Sequence, residues 1–220
     1  MPETERPLTV LHGKDHTAIE ILIDIHSEVV TDPVILDCTY NQGTMWRHCR
    51  YQPTFTSDIS EQHKVSVVAD FARLPFGDGV FDVIIFDPPH LPTAAASANS
   101  SLIWERRYGI TAAGEGREGD SVTPMFLGFI EEARRTLRRD GIVLAKIADI
   151  THNHKYQWQM VEFVNAARVS GMTPCDMLIK MDPSQGNLRS SKWMSVRHLR
   201  KGHSYWIVLR NSARCERKRS

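Results

Sequence analysis

Four short β-rich runs, each closed by an aspartate, stand within the first ninety residues: Val34–Asp37 (VILD), Thr54–Asp58 (TFTSD), Val65–Asp70 (VSVVAD) and Phe81–Asp87 (FDVIIFD). Runs of four to seven β-branched and aromatic residues read as strands. Aspartate is common in turns, so one such ending carries little information. Four in succession place a row of carboxylates at the carboxyl edge of a sheet, where open α/β folds bind their ligands.

The rest of the chain fits that architecture. The stretch HTAIEILIDIHSEVV sets Ile19, Leu22, Ile23, His26 and Val30 at helical spacing and predicts about four turns. MFLGFIEEARRTLRRDG reads as an amphipathic helix stopped by Gly141, IVLAKIAD as a fifth strand, and YQWQMVEFVNAARVSG as another helix. PCDMLIKM and HSYWIVLR complete seven strands. Helices alternating with strands predict one α/β domain over residues 1–220, with a mostly parallel seven-stranded sheet and helices on both faces. Residues 91–124 are rich in Ala, Ser and Gly and are expected to form a mobile substrate loop.

No apolar run approaches the ~18–20 residues that span a bilayer, and the opening MPETERPLTV has no apolar signal core. A cytoplasmic protein with free thiols is expected, because Cys38, Cys49, Cys175 and Cys215 form no Cys-x-x-Cys pair. Charge is unevenly placed. From Gly186 onward ten Lys/Arg face one acid, an excess of +9 that leaves −8 for the rest of a chain whose total is +1. This basic segment, 186–220, suits a polyanion such as nucleic acid, or simply keeps the tail soluble. His152 and His154 have no nearby acid or thiol to complete a metal set, so no metal is expected.

Asp58 follows Asp37 by about the twenty residues that separate a nucleotide-binding turn from an acid on ribose hydroxyls, which suggests an adenosine-bearing cofactor. Within the turn DCTYNQGTMW, Asn41 is a residue type that tolerates positive φ, so it can take a position usually held by glycine. The fourth strand runs into Asp87-Pro88-Pro89-His90. This tetrapeptide and the order of elements resemble the S-adenosylmethionine-dependent amino-methyltransferases of nucleic acids, whose signature is Asp/Asn/Ser-Pro-Pro-aromatic after the fourth strand. Their first motif, Asp-Pro-Phe-Ala-Gly-Ser-Gly-Thr, is kept here at Asp37, Gly43 and Thr44, while Asn41 replaces the first glycine.

The resemblance implies a Rossmann-like class I methyltransferase fold and S-adenosyl-L-methionine as cofactor. Asp37, Thr39, Asn41 and Gly43 would line its methionine part, Asp58 its ribose, and Asp70 with Phe71 its adenine. Lys14 to Thr17 are a candidate wall of the same site. Asp87 and the Pro88 carbonyl would accept the two N–H bonds of an exocyclic amine, with Pro89 fixing their direction. His90 would stack on the base or bond to it. Trp104, Arg106, Arg107 and Tyr108, with Arg189, Lys192, Arg197, Arg200 and Lys201, would contact the substrate strand. The implied activity is methylation of adenine N6 or cytosine N4 in DNA. RNA methylation, methylation of a small molecule, and a catalytically silent nucleic-acid-binding subunit are the alternatives.

Overall fold

The computed structural model describes residues 8–89, 122–152, 155–181 and 201–212. In chain order these form β1 (Val10–His12), α1 (Asp15–His26), β2 (Ile35–Asp37), a 3-10 turn (Thr44–Trp46), β3 (Phe55–Asp58), β4 (Val67–Val68), β5 (Phe81–Phe86), α2 (Thr123–Thr136), β6 (Leu137–Ile147), β7 (Ile150–His152), β8 (Lys155–Gln157), α3 (Gln159–Val169), β9 (Thr173–Met181) and β10 (His203–Arg210). One sheet has the order β1-β9-β10-β6-β5-β2-β3-β4, and β7 with β8 makes a separate hairpin. β10 runs antiparallel to both its neighbours, and every other pairing in the large sheet is parallel. The expected seven strands are all present. The eighth, β1, is three residues on the edge beside β9, too short to show a pattern in the sequence.

Side chains alternate across the central strands, as a two-residue period requires. On one face Ile84 and Phe86 of β5, Val143 and Ala145 of β6, and Ile207 and Leu209 of β10 pack with Phe126, Phe129 and Phe163 from α2 and α3. On the other, Val83, Ile85, Ile142, Leu144, Trp206 and Val208 pack with Ala18, Ile19, Leu22 and Ile23 of α1. Every residue of β5 is buried, which matches its largely apolar character; the one acid, Asp82, accepts the Val34 amide at 2.8 Å and pairs with Arg138 at 2.8 Å.

Several element boundaries differ from those expected. α1 stops at His26 instead of running to Val30, because Ser27 turns the chain: its Oγ donates to the Val29 carbonyl at 2.7 Å and accepts from the Val29 amide at 3.2 Å. Val30 is left outside the helix and 41% exposed. α2 begins at Thr123 with Pro124 in its first turn, so the last two residues of the expected 91–124 loop are helical. It also ends at Thr136, before Gly141, since Leu137 already pairs with Phe81 of β5. The residues before α3 form β8 rather than a first helical turn. Among the described residues no helix is long and apolar enough to cross a membrane, and no group of three or more His, Cys, Asp or Glu is placed to hold a metal.

The Phe86 and Phe129 rings stack with centroids 3.6 Å apart and planes within 4°, joining α2 to the centre of the sheet. Phe129→Ala is expected to cost about 3–5 kcal/mol in urea denaturation with the slope m unchanged.

Candidate active site at the carboxyl edge of the sheet

β4, β3, β2 and β5 are adjacent and parallel, so Asp70, Asp58, Asp37 and Asp87 come together along one edge. Asp37 is fully buried. Its two oxygens accept the Thr39 amide at 3.0 Å and the Trp46 indole N–H at 2.6 Å, closing the turn after β2 onto itself. Burial pushes the Asp37 carboxyl from its usual 3.8 up to about 7 against the pull of those two hydrogen bonds, with Asp87 and Asp58 adding to the rise.

Within the turn Asn41 has φ 51 and Gly43 φ 62. The pair therefore uses the left-handed region twice, with asparagine in the place that the sequence pattern assigned to it. A Cβ at Gly43 would meet the outer end of the Tyr40 ring, which would have to swing aside, and the positive φ is what favours glycine there. Asp58 is 8% exposed and accepts the Asn41 amide at 2.8 Å on one oxygen and the Ser60 amide at 2.9 Å on the other. Each oxygen retains a second lone pair. Asp70 is exposed and accepts the Ala72 amide at 2.9 Å. Phe71 is half-buried, edge-on to Phe86 at 5.2 Å between centroids, and so belongs partly to the core.

The Thr39 hydroxyl accepts the Asp87 amide at 2.7 Å, tying the turn after β2 directly to the Asp-Pro-Pro segment. The Asp87 carboxylate reaches Lys146 of β6 at 3.2 Å. Lys146 also meets Asp15 at 3.2 Å, and Asp15 in turn takes Lys180 at 3.0 Å and the Trp206 indole N–H at 3.3 Å. Burial alone would lower the Lys146 ammonium, but the Asp87 and Asp15 carboxylates outweigh it and raise its pKa. Two acids and two lysines thus form an alternating chain of charge from β5 to β9.

Of the residues singled out in the sequence, Asp37, Thr39, Asn41, Gly43, Asp58, Asp70, Phe71, Asp87, Pro88 and Pro89 lie on this edge. Lys14 to Thr17 stand at the beginning of α1, where Asp15 joins the charge chain. His90, Trp104, Arg106, Arg107, Tyr108, Arg189, Lys192, Arg197 and Arg200 lie outside the described residues. Lys201 is described, with its ammonium over the Tyr156 ring. Lys146, Lys180 and Trp206 were missed: each sits inside an apolar strand run, and only the sheet register turns it toward Asp15 and Asp87.

The comparisons address the fold. No family model and no curated protein matches the chain. Among solved structures, a provisionally assigned methyltransferase from Bacillus halodurans is 12% identical, with 89% of this chain and 98% of that one covered and a TM-score of 0.51. The fold is the Rossmann-like class I methyltransferase fold. A cyclase of the 4+2 type, SpnF, is equally similar, at 12% identity over 90% of this chain and 81% of its own with a TM-score of 0.51. Fold alone therefore does not choose the reaction. A provisionally assigned DNA modification methylase from Thermus thermophilus is 11% identical over 70% of this chain, with a TM-score of 0.45. This chain spans only 56% of that protein.

The buried Asp37 gives a pH signature. The folded state holds this proton between about pH 4 and pH 7, where the unfolded chain has released it, so stability falls as pH rises through that window and levels off above it. Relative to Asp37→Asn, the wild type is expected to lose on the order of 4 kcal/mol of unfolding free energy from pH 4 to pH 7 in denaturant titrations.

Proposed function

We propose that this chain transfers a methyl group from S-adenosylmethionine to an exocyclic amino group of a DNA base, adenine N6 or cytosine N4. The observation that carries this reading is the 2.7 Å bond from the Asp87 amide to the Thr39 hydroxyl, which couples the turn after β2 to the Asp-Pro-Pro acceptor segment. A cofactor turn and an amine-binding segment must adjoin if a methyl group is to pass between their ligands.

The residues present fit the cofactor. Asn41 Oδ1 is buried without a hydrogen-bond partner among the described residues, an acceptor waiting for a donor beside the turn. Asp58 keeps acceptor capacity for ribose hydroxyls, and Phe71 with Asp70 stands at the next strand end for the adenine. Asp37 acts one step back, by holding Thr39 and Trp46. When bound, S-adenosylmethionine supplies a methyl group on cationic sulfur, so transfer needs no metal or covalent nucleophile.

The chain's own residues then have a positioning task. An exocyclic amine is a weak nucleophile because its lone pair is delocalised into the ring. Asp87 and the Pro88 carbonyl accept its two N–H bonds and direct the lone pair at the methyl carbon. With the cofactor supplying the electrophilic methyl carbon, the Asp87 carboxylate would take the proton that the nitrogen gives up and pass it to water. Lys146 holds that carboxylate at 3.2 Å, and the two prolines restrict its backbone. A duplex target would first be flipped out of the stack.

Asp87→Ala is expected to lower methyl transfer by at least 100-fold, while calorimetric affinity for S-adenosylhomocysteine stays within about threefold of wild type, since orientation alone supplies several kcal/mol. The assay incubates labelled cofactor with separate DNA and RNA pools and identifies the methylated nucleoside. Label in RNA alone would transfer the reading to RNA. No affinity for either form of the cofactor would overturn it.

A further inference from the structure

The carboxyl edge continues past Lys146 into a cluster that the proposed chemistry leaves unused. β6 ends at Ile147, which pairs with Tyr205, and β10 runs the opposite way, so the beginning of β10 lies at this same edge. Asp149 follows two residues after β6 and is 3% exposed. It accepts the Tyr156 hydroxyl at 2.9 Å and the Met160 amide at 3.0 Å, which pins the β7–β8 hairpin and the first turn of α3 to the sheet.

On this anchor the Tyr156 ring stands 4.4 Å from the Trp158 ring between centroids, and the Lys201 ammonium lies 3.3 Å from the Tyr156 centroid. Trp158 is 58% exposed. Among the described residues only Phe55 is another Phe, Trp or Tyr in the exposed class, and it packs on Phe76 and Phe81. Trp158 precedes α3 as its N-cap, yet its side chain makes no capping bond; its carbonyl accepts the Glu162 amide at 3.0 Å, as the backbone of any residue would do. The helix therefore gives no reason for an indole at this position.

We propose that Tyr156, Trp158 and Lys201 form a platform for the substrate strand beside the target base, the indole stacking on a nucleobase and the ammonium meeting a phosphate. Exposed Lys155, on the same hairpin, adds a second cation, and Asp149, which holds the Tyr156 hydroxyl, is buried and engaged. A polynucleotide is the occupant that combines apolar ring faces with regularly spaced anions. The platform also lies on the same edge as the proposed amine site: Lys146 contacts Asp87, and Asp149, three residues further on, holds Tyr156.

This inference rests on the nucleic-acid reading, and the test separates the two. Binding of a short labelled single-stranded DNA is followed by anisotropy across a salt series, with S-adenosylhomocysteine present. Trp158→Ala is expected to weaken binding roughly 5- to 150-fold, as loss of one stacked base does, with an unchanged salt slope. Lys201→Gln should reduce that slope by about 0.7. Trp158→Phe should recover most of the affinity, which loss of folding would not allow. Wild-type binding retained in full by Trp158→Ala overturns the platform alone. A wild type that binds no polynucleotide overturns the platform and the nucleic-acid substrate together. Self-association that depends on Trp158, seen by light scattering without nucleic acid, assigns the surface to a second copy and also overturns the proposal.

Discussion

Helices cover both faces of β5 and β6, so a polar group in the middle of those strands loses its hydrogen bonds to water. The chemistry is displaced to the strand ends. There the chain must satisfy carboxylates and ammoniums in a small space, and it does so by giving each a partner from its own turn or from a neighbouring element. Asp37 closes its own turn, Asp58 holds the next part of that turn, and Asp87 is met by Lys146. The edge is a connected polar layer laid over an apolar sheet.

That connection runs sideways as well as along the chain. Asp15 lies 131 residues from Lys146 and 191 from Trp206, yet all three meet at one point. The start of α1 is thereby fixed to β6, β9 and β10. Arg210 does the same at the opposite end of the sheet: it is 1% exposed and donates to the His26 and Asp140 carbonyls, so it holds the end of α1 to the beginning of β6. Each end of the first helix is clamped by one polar cluster.

Much of this was legible in the sequence. Short β-rich runs ending in Asp37, Asp58 and Asp87 marked strand ends directly, and Asn41 was readable as a positive-φ residue because few other side chains tolerate that conformation. Lys146 was not, since a single lysine in IVLAKIAD looks like an ordinary interruption until β6 is set in register against β5. The end of α2 was also hidden: LRRD continues a helical pattern, and only the pairing of Leu137 with Phe81 draws it into the sheet. Tyr156, Trp158 and Lys201 are separated by forty-odd residues at the widest, so the sequence shows the aromatics and the cation but not their stacking.

The bond between Asp37 and the Trp46 indole has an additional use. A carboxyl that changes charge near pH 7, 2.6 Å from an indole nitrogen, alters the electronic environment of that ring as it ionises. The turn that connects β2 to the rest of the site thus pairs a titrating acid with an indole, and the Trp46 share of the emission of five tryptophans is expected to follow the charge on Asp37.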